Sequence, residues 1–147
     1  MTRKGDPFIV IMTSSEFVAK LIDVAEHYNT TYMWGVFGSP VTTSLIEQKV
    51  KQYPNFYTGN YQEKLKKMVN QDVFAFDCVC LIKGILWVWT GDKDRIYGGA
   101  RYASGGVPDI NADTMIRRCT DLSTDFSKIE PGEALGIRGH IGVYIGD

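Results

Sequence analysis

An excess of charge of either sign is missing: 16 basic residues against 17 acidic ones leave a formal net charge of −1. The chain therefore offers no electrostatic footprint for a phosphate backbone or an anionic membrane surface, and nucleic acid is not an expected partner. Long apolar runs are missing too. None approaches the ~20 residues that span a bilayer, so no membrane span is expected. The stretch Phe8–Met12 behind Arg3 and Lys4 has a basic-then-apolar order, but Asp6-Pro7 interrupts it. It is also shorter than the ~7–15 apolar residues of a signal-peptide core, and synthesis in the cytoplasm without a signal peptide is expected. Cysteine is scarce. Cys78, Cys80 and Cys119 make an odd count, at spacings that fit neither a disulfide-dense scaffold nor a paired Cys-x-x-Cys zinc site. Free thiols follow, with no metal and no cofactor. Histidine is scarcer still, at His27 and His140.

What is present fits one folded unit. The 147 residues are 44% hydrophobic and 22% charged, close to the averages of soluble globular domains and long enough to bury a core. Thr13 and Glu16 have capping-box spacing, and Phe17, Val18, Leu21, Ile22, Ala25 and Tyr28 recur with helical period, which predicts an amphipathic helix over about 14–28. Residues 1–12 stand outside that pattern and read as a disordered extension, leaving 13–147 as the domain.

The run 30–40, rich in turn formers and aromatics, reads as a loop that packs its rings. Ser44 and Glu47 open a second helix that Pro54 ends. Asn60 and Glu63 open a third, with Tyr61, Leu65, Met68 and Val69 inward and Lys64, Lys66 and Lys67 on a solvated face. Residues 77–89 are apolar almost all round and too long for a typical strand, which predicts a buried central helix starting at Asp77. The glycine-rich stretch 91–106 reads as a long surface loop, followed by a short helix near 111–119. Pro131-Gly132 turns the chain into two strands, 134–137 and the alternating run from His140 to Ile145.

The candidate chemistry centres on Cys78. Asp77 is a favourable N-cap, so Cys78 falls in the first turn of a buried helix, where free amides and the positive dipole end stabilise a thiolate. Cys80 lies on another side of the helix, and Cys119 has no such context; the competing role for all three is that of a small buried hydrophobe. A thiolate nucleophile needs a base, and histidine is suited to it. His27 sits among Glu26, Asn29 and Thr30 on the outward side of the first helix. His140 opens an apolar strand, on one face with Gly142 and Tyr144 and opposite Ile141, Val143 and Ile145. It is the candidate base, against the alternative of a satisfied core histidine.

Four segments then carry a resemblance. Phe76-Asp77-Cys78-Val79-Cys80-Leu81-Ile82 resembles the nucleophile motif aromatic-Asp-Cys-Ser-Gly-Leu, and Gly139-His140-Ile141-Gly142-Val143-Tyr144-Ile145-Gly146 resembles a histidine strand of the same family. Tyr32-Met33-Trp34-Gly35 is similar to the Tyr-x-Trp-Gly that precedes the Cys motif, and Glu130-Pro131-Gly132-Glu133 to the Pro-Gly-Asp that opens the sheet. The family is that of the NlpC-type peptidoglycan peptidases, papain-like cysteine hydrolases. The insert between Gly35 and Phe76 gives the chain a texture similar to lysins of phages and prophages in gut clostridia.

The resemblance implies an α+β, papain-like fold in which N-terminal helices accompany a buried Cys-bearing helix packed on a small antiparallel sheet. It implies a cell-wall endopeptidase or amidase in which Cys78 attacks an amide of the peptidoglycan stem peptide and His140 shuttles the proton. Release to the wall would be holin-type or by lysis. Tyr32 would help bind the oxyanion or substrate, and Asp77 would hold the helix start or meet a substrate amine, against the plainer roles of packed aromatic and N-cap. Val79 and Cys80 depart from the family's Ser and Gly. The family's third polar residue, which orients the histidine, belongs to the strand after the histidine strand, beyond Asp147, and the domain is expected to be truncated at its C-terminus. Loss of such an orienter costs about 10⁴ in rate in the analogous serine triad. A catalytically inactive wall-binding or assembly module with the same fold is the alternative.

Overall fold

The computed structural model describes residues 12–147. The extension expected over 1–12 therefore lies outside the described residues except for Met12, which is packed in the core. The first helix, α1 (Ser14–His27), starts as its capping residues dictate: the Thr13 hydroxyl accepts the Glu16 N–H at 3.2 Å, and Phe17, Val18, Leu21 and Val24 form the buried stripe.

The 30–40 region differs from the expected loop. It forms β1 (Asn29–Tyr32) and β2 (Phe37–Pro40), joined by a turn at 33–36. Both pair with β3 (Val73–Phe76), β1 in parallel and β2 antiparallel, in the order β1-β3-β2. Each segment is four residues long, too short to show a period of two. The pairing that makes them strands is supplied by residues some 40 positions away, which local propensity does not encode.

Between β2 and β3 lie α2 (Thr43–Gln52) and α3 (Gly59–Lys66). Each begins slightly earlier than expected, with Thr42 and Thr58 at the N-caps; the Thr42 hydroxyl accepts the Leu45 N–H at 3.1 Å. The central helix α4 (Cys78–Leu86) follows β3 after the single residue Asp77. It is shorter than the 77–89 expected. Val88 takes a left-handed backbone (φ 63°), which no regular helix continues through, and Trp87 and Trp89 turn back onto the core. A helix apolar on all sides has no periodic signal to mark its end.

A long connection without regular elements leads to α5 (Ala112–Arg117), capped by the Asn111 carboxamide, and then to the hairpin β4 (Ala134–Ile137) and β5 (His140–Val143). The fold is α+β, with a small antiparallel sheet as expected and a second, mixed sheet that was not. Along β3 the side chains alternate between two cores: Phe74 and Phe76 join α1, α4, α5 and β5, while Ala75 joins α2 and α3 around Met33, Tyr57 and Leu65. The mixed sheet is thus the wall between the cores, and Cys78 emerges where its central strand ends. No helix among the described residues is long and apolar enough to cross a membrane.

Candidate active site

The parallel register sets the site. Tyr32 lies opposite Phe76, and Met33 N–H donates to the Phe76 carbonyl at 3.0 Å, so the end of β1 is fixed one residue before the N-cap of α4. Asp77 is only 6% exposed, and both its oxygens are engaged: Oδ1 accepts the Cys80 N–H at 2.7 Å and Oδ2 the Gly35 N–H at 2.8 Å. Holding the helix start is the role this geometry performs. It also ties the turn after Tyr32 to α4. Cys78, the first residue of α4, is half-buried and packs against the core with its thiol in the first helical turn.

A second clamp closes on the same turn. Lys49, an inward position of α2 beside Leu45 and Ile46, is buried and donates from Nζ to the Gly35 carbonyl at 3.0 Å and to Gln52 Oε1 at 3.1 Å. Burial lowers its pKa, opposed by the Cys80 thiol and the Asp77 carboxylate. The Gly35 peptide is therefore held at its N–H by a carboxylate and at its carbonyl by an ammonium. Gly35 has φ +80°, and a Cβ there would sit 3.3 Å from both Lys49 Nζ and the Tyr53 ring, so glycine is required for backbone and space alike.

Tyr32 itself is half-exposed. Partial burial, then the Asp77 carboxylate and the Cys78 thiol, raises its phenol above the ordinary value, which keeps it a neutral donor in the neighbourhood of Cys78. Cys80 is buried and its pKa is pushed strongly upward, by burial first and by Asp77 next. Cys119 is raised by burial as well, and its Sγ lies 3.4 Å from the Met115 carbonyl.

His140 begins β5, opposite Ile137 across the hairpin. Ile141 is buried in the core with Val79 and Ile82, and β5 packs against α4, so the histidine strand and the cysteine helix are neighbours. The His140 ring, on the other face of the strand, is exposed, and among the described residues it shares no hydrogen bond with Cys78. The turn before it is tied down by Asp113, whose Oδ1 accepts the Gly139 N–H at 2.8 Å. His27 is exposed on α1 and pairs with Asp23, the surface role read from its neighbours. The structure thus brings Tyr32, Asp77 and Cys78 together and lays the His140 strand against their helix without joining the two side chains.

Two features were not anticipated. Lys49 was legible in principle, because a lysine at an apolar position of a helical stripe signals a buried cation; its partner Gly35 was not. The second is a run of rings around the 32–35 turn. Trp34 stacks on Tyr53 (centroids 4.8 Å, 26° between planes) and meets Phe56 edge-on at 5.2 Å, and Phe56 lies 6.4 Å from Tyr32. Among the described residues no three His, Cys, Asp or Glu side chains group as metal ligands. No protein-family model, curated protein or solved structure matches the chain.

Proposed function

We propose that the protein is a peptidoglycan hydrolase of the NlpC-type, papain-like class, with Cys78 as nucleophile and His140 as general base. The observation that carries this reading is the pair of segments meeting at Asp77: a half-buried cysteine in the first turn of a buried helix, with the Tyr32–Gly35 turn fastened beside it. That is the relation the Tyr-x-Trp-Gly and Asp-Cys motifs imply for one another. Cys78 Sγ attacks the carbonyl carbon of a stem-peptide amide, the C–N bond breaks, and His140 delivers the proton to the leaving amine. The resulting thioester is attacked by water, which His140 deprotonates, releasing the acid and regenerating the thiol. Tyr32, held neutral, donates to the developing oxyanion, and Asp77 keeps the helix amides and the turn in place. Release to the wall is holin-type or by lysis.

The exposed His140 ring favours a second reading, a wall-binding or assembly module that retains the fold without turnover. Digestion of purified cell walls separates the two. New free amino groups released by the wild type and not by Cys78→Ala support the hydrolase. Wall binding that survives Cys78→Ala, with no release by the wild type, selects the binding module.

A further inference from the structure

We propose that the exposed rings of Tyr32, Trp34 and Phe56 form a subsite for the pyranose rings of a glycan strand, an inference that rests on the hydrolase reading for the position of its ligand. These side chains are 49%, 45% and 37% exposed, with Phe56 in contact with both of the others. They are fixed from behind rather than free to collapse inward. Tyr53 covers one face of the Trp34 indole. The Trp34 carbonyl accepts the Tyr57 hydroxyl at 2.7 Å, the Tyr32 carbonyl accepts the Tyr61 hydroxyl, and the Gly35 peptide between α2 and α4 is clamped at both ends. Such preorganisation removes the ordering cost of binding.

The chemistry of the surface selects the occupant. It consists of partly exposed aromatic rings, with hydrogen-bonding groups beside them: the Tyr32 phenol, the exposed Asn55 beside Phe56, and the Trp34 indole N–H. Among the described residues that indole donates to nothing, whereas those of Trp87 and Trp89 donate to the Val107 and Gly38 carbonyls. A pyranose ring presents axial C–H groups on its faces and hydroxyl and acetamido groups around its edge, which is the complement of this pattern. Continuity with the candidate nucleophile supplies the second argument. The stem peptide hangs from a sugar, and a residue spans at most ~3.3–3.6 Å, so an amide three residues along the stem lies at most about 10 Å from its attachment to the glycan. The patch begins at Tyr32, which pairs with Phe76 two residues before Cys78, and continues through Phe56 to Trp34.

Of the three tryptophans only Trp34 is exposed, so a ligand on the patch changes its emission while buried Trp87 and Trp89 add a constant background. Soluble β-1,4-linked N-acetylglucosamine oligomers, which carry no peptide, are titrated into the full chain. The expected result is a saturable emission change in the wild type, with affinity unaltered in Cys78→Ala. Calorimetry, which needs no reporter ring, should find binding weakened about tenfold in Trp34→Ala and in Phe56→Ser, and within a few fold of wild type in Trp34→Tyr. Phe56→Ser keeps the test open if Trp34→Ala does not fold. No saturable response up to the solubility limit, or equal affinity in the ring variants, overturns the proposal. Self-association lost in Trp34→Ala with no sugar response overturns it in favour of an interface between copies. Wall hydrolysis without sugar binding sinks this proposal and leaves the hydrolase reading intact; sugar binding without hydrolysis does the reverse.

Discussion

Asp77 joins two backbone segments 42 residues apart in sequence, and among the described residues its side chain is the acceptor for two buried or half-buried amides. Replacing it with alanine removes the N-cap bond to Cys80, typically worth ~1 kcal/mol, and leaves the Gly35 N–H unpaired at about 1–3 kcal/mol. Asp77→Ala should lower stability by about 2–4 kcal/mol in urea unfolding. Asp77→Asn, which keeps one acceptor, should lose about half of that. Cys80 gives a pH signature. Its thiol is pushed upward from 9.0 by burial, so it stays protonated in the folded chain while the unfolded chain ionises. Its contribution is full below about pH 9. Above that the unfolded state binds fewer protons and stability falls by about 1.4 kcal/mol per pH unit, until the folded thiol ionises in turn. Comparing unfolding free energies at pH 8 and pH 10 should show this extra loss in the wild type and not in Cys80→Ala.

At the scale of elements, legibility follows locality. α1 was readable because its cap and stripe lie within one window, and the 134–143 hairpin because its turn residues and alternation are local. β1, β2 and β3 were not, since four-residue segments become strands only through partners distant in sequence. Cys78 and Asp77 were legible as a cap and a first-turn cysteine; the Lys49–Gly35–Asp77 clamp, made of three segments, was not. Lys83 repeats that lesson inside α4. On a helix read as apolar almost all round it is buried, with Nζ 2.5 Å from Asp109 Oδ1 and 3.0 Å from the Ile110 carbonyl. Burial alone would raise the Asp109 carboxyl, but hydrogen bonds from Lys83 and Tyr102 outweigh it and hold the pKa below the ordinary range. The pair fastens the connection before α5 to the cysteine helix, beside the Trp87 indole bond to Val107. Lys83→Met, which keeps volume and removes the charge, should speed tryptic cleavage after Arg101 about tenfold, equivalent to ~1.4 kcal/mol of local opening.

In the molecule as a whole, β3 contributes alternate residues to both cores, so neither core can unfold without breaking the strand that lines the other. One cooperative transition follows. Leu65 is fully buried in the core formed with α2 and α3, whereas Trp87 and Trp89 lie in the other. Leu65→Ala should cost about 2–5 kcal/mol. In a Trp34→Tyr background, where only Trp87 and Trp89 emit, the loss should be the same by tryptophan emission and by far-ultraviolet circular dichroism; a shift in the dichroism alone would mean that the cores unfold separately. The same strand delivers the cysteine helix to the Tyr32 turn, so architecture and proposed chemistry share one element. Whether Cys78 is the nucleophile is decided by acid-quenching the protein during turnover of a stem-peptide substrate and weighing its peptides. A nucleophilic Cys78 leaves a thioester adduct, the substrate's acyl portion without its leaving amine, on the peptide carrying Cys78 and absent from Cys78→Ala. Product formation with no adduct at Cys78, or with an adduct on Cys119, would contradict that role.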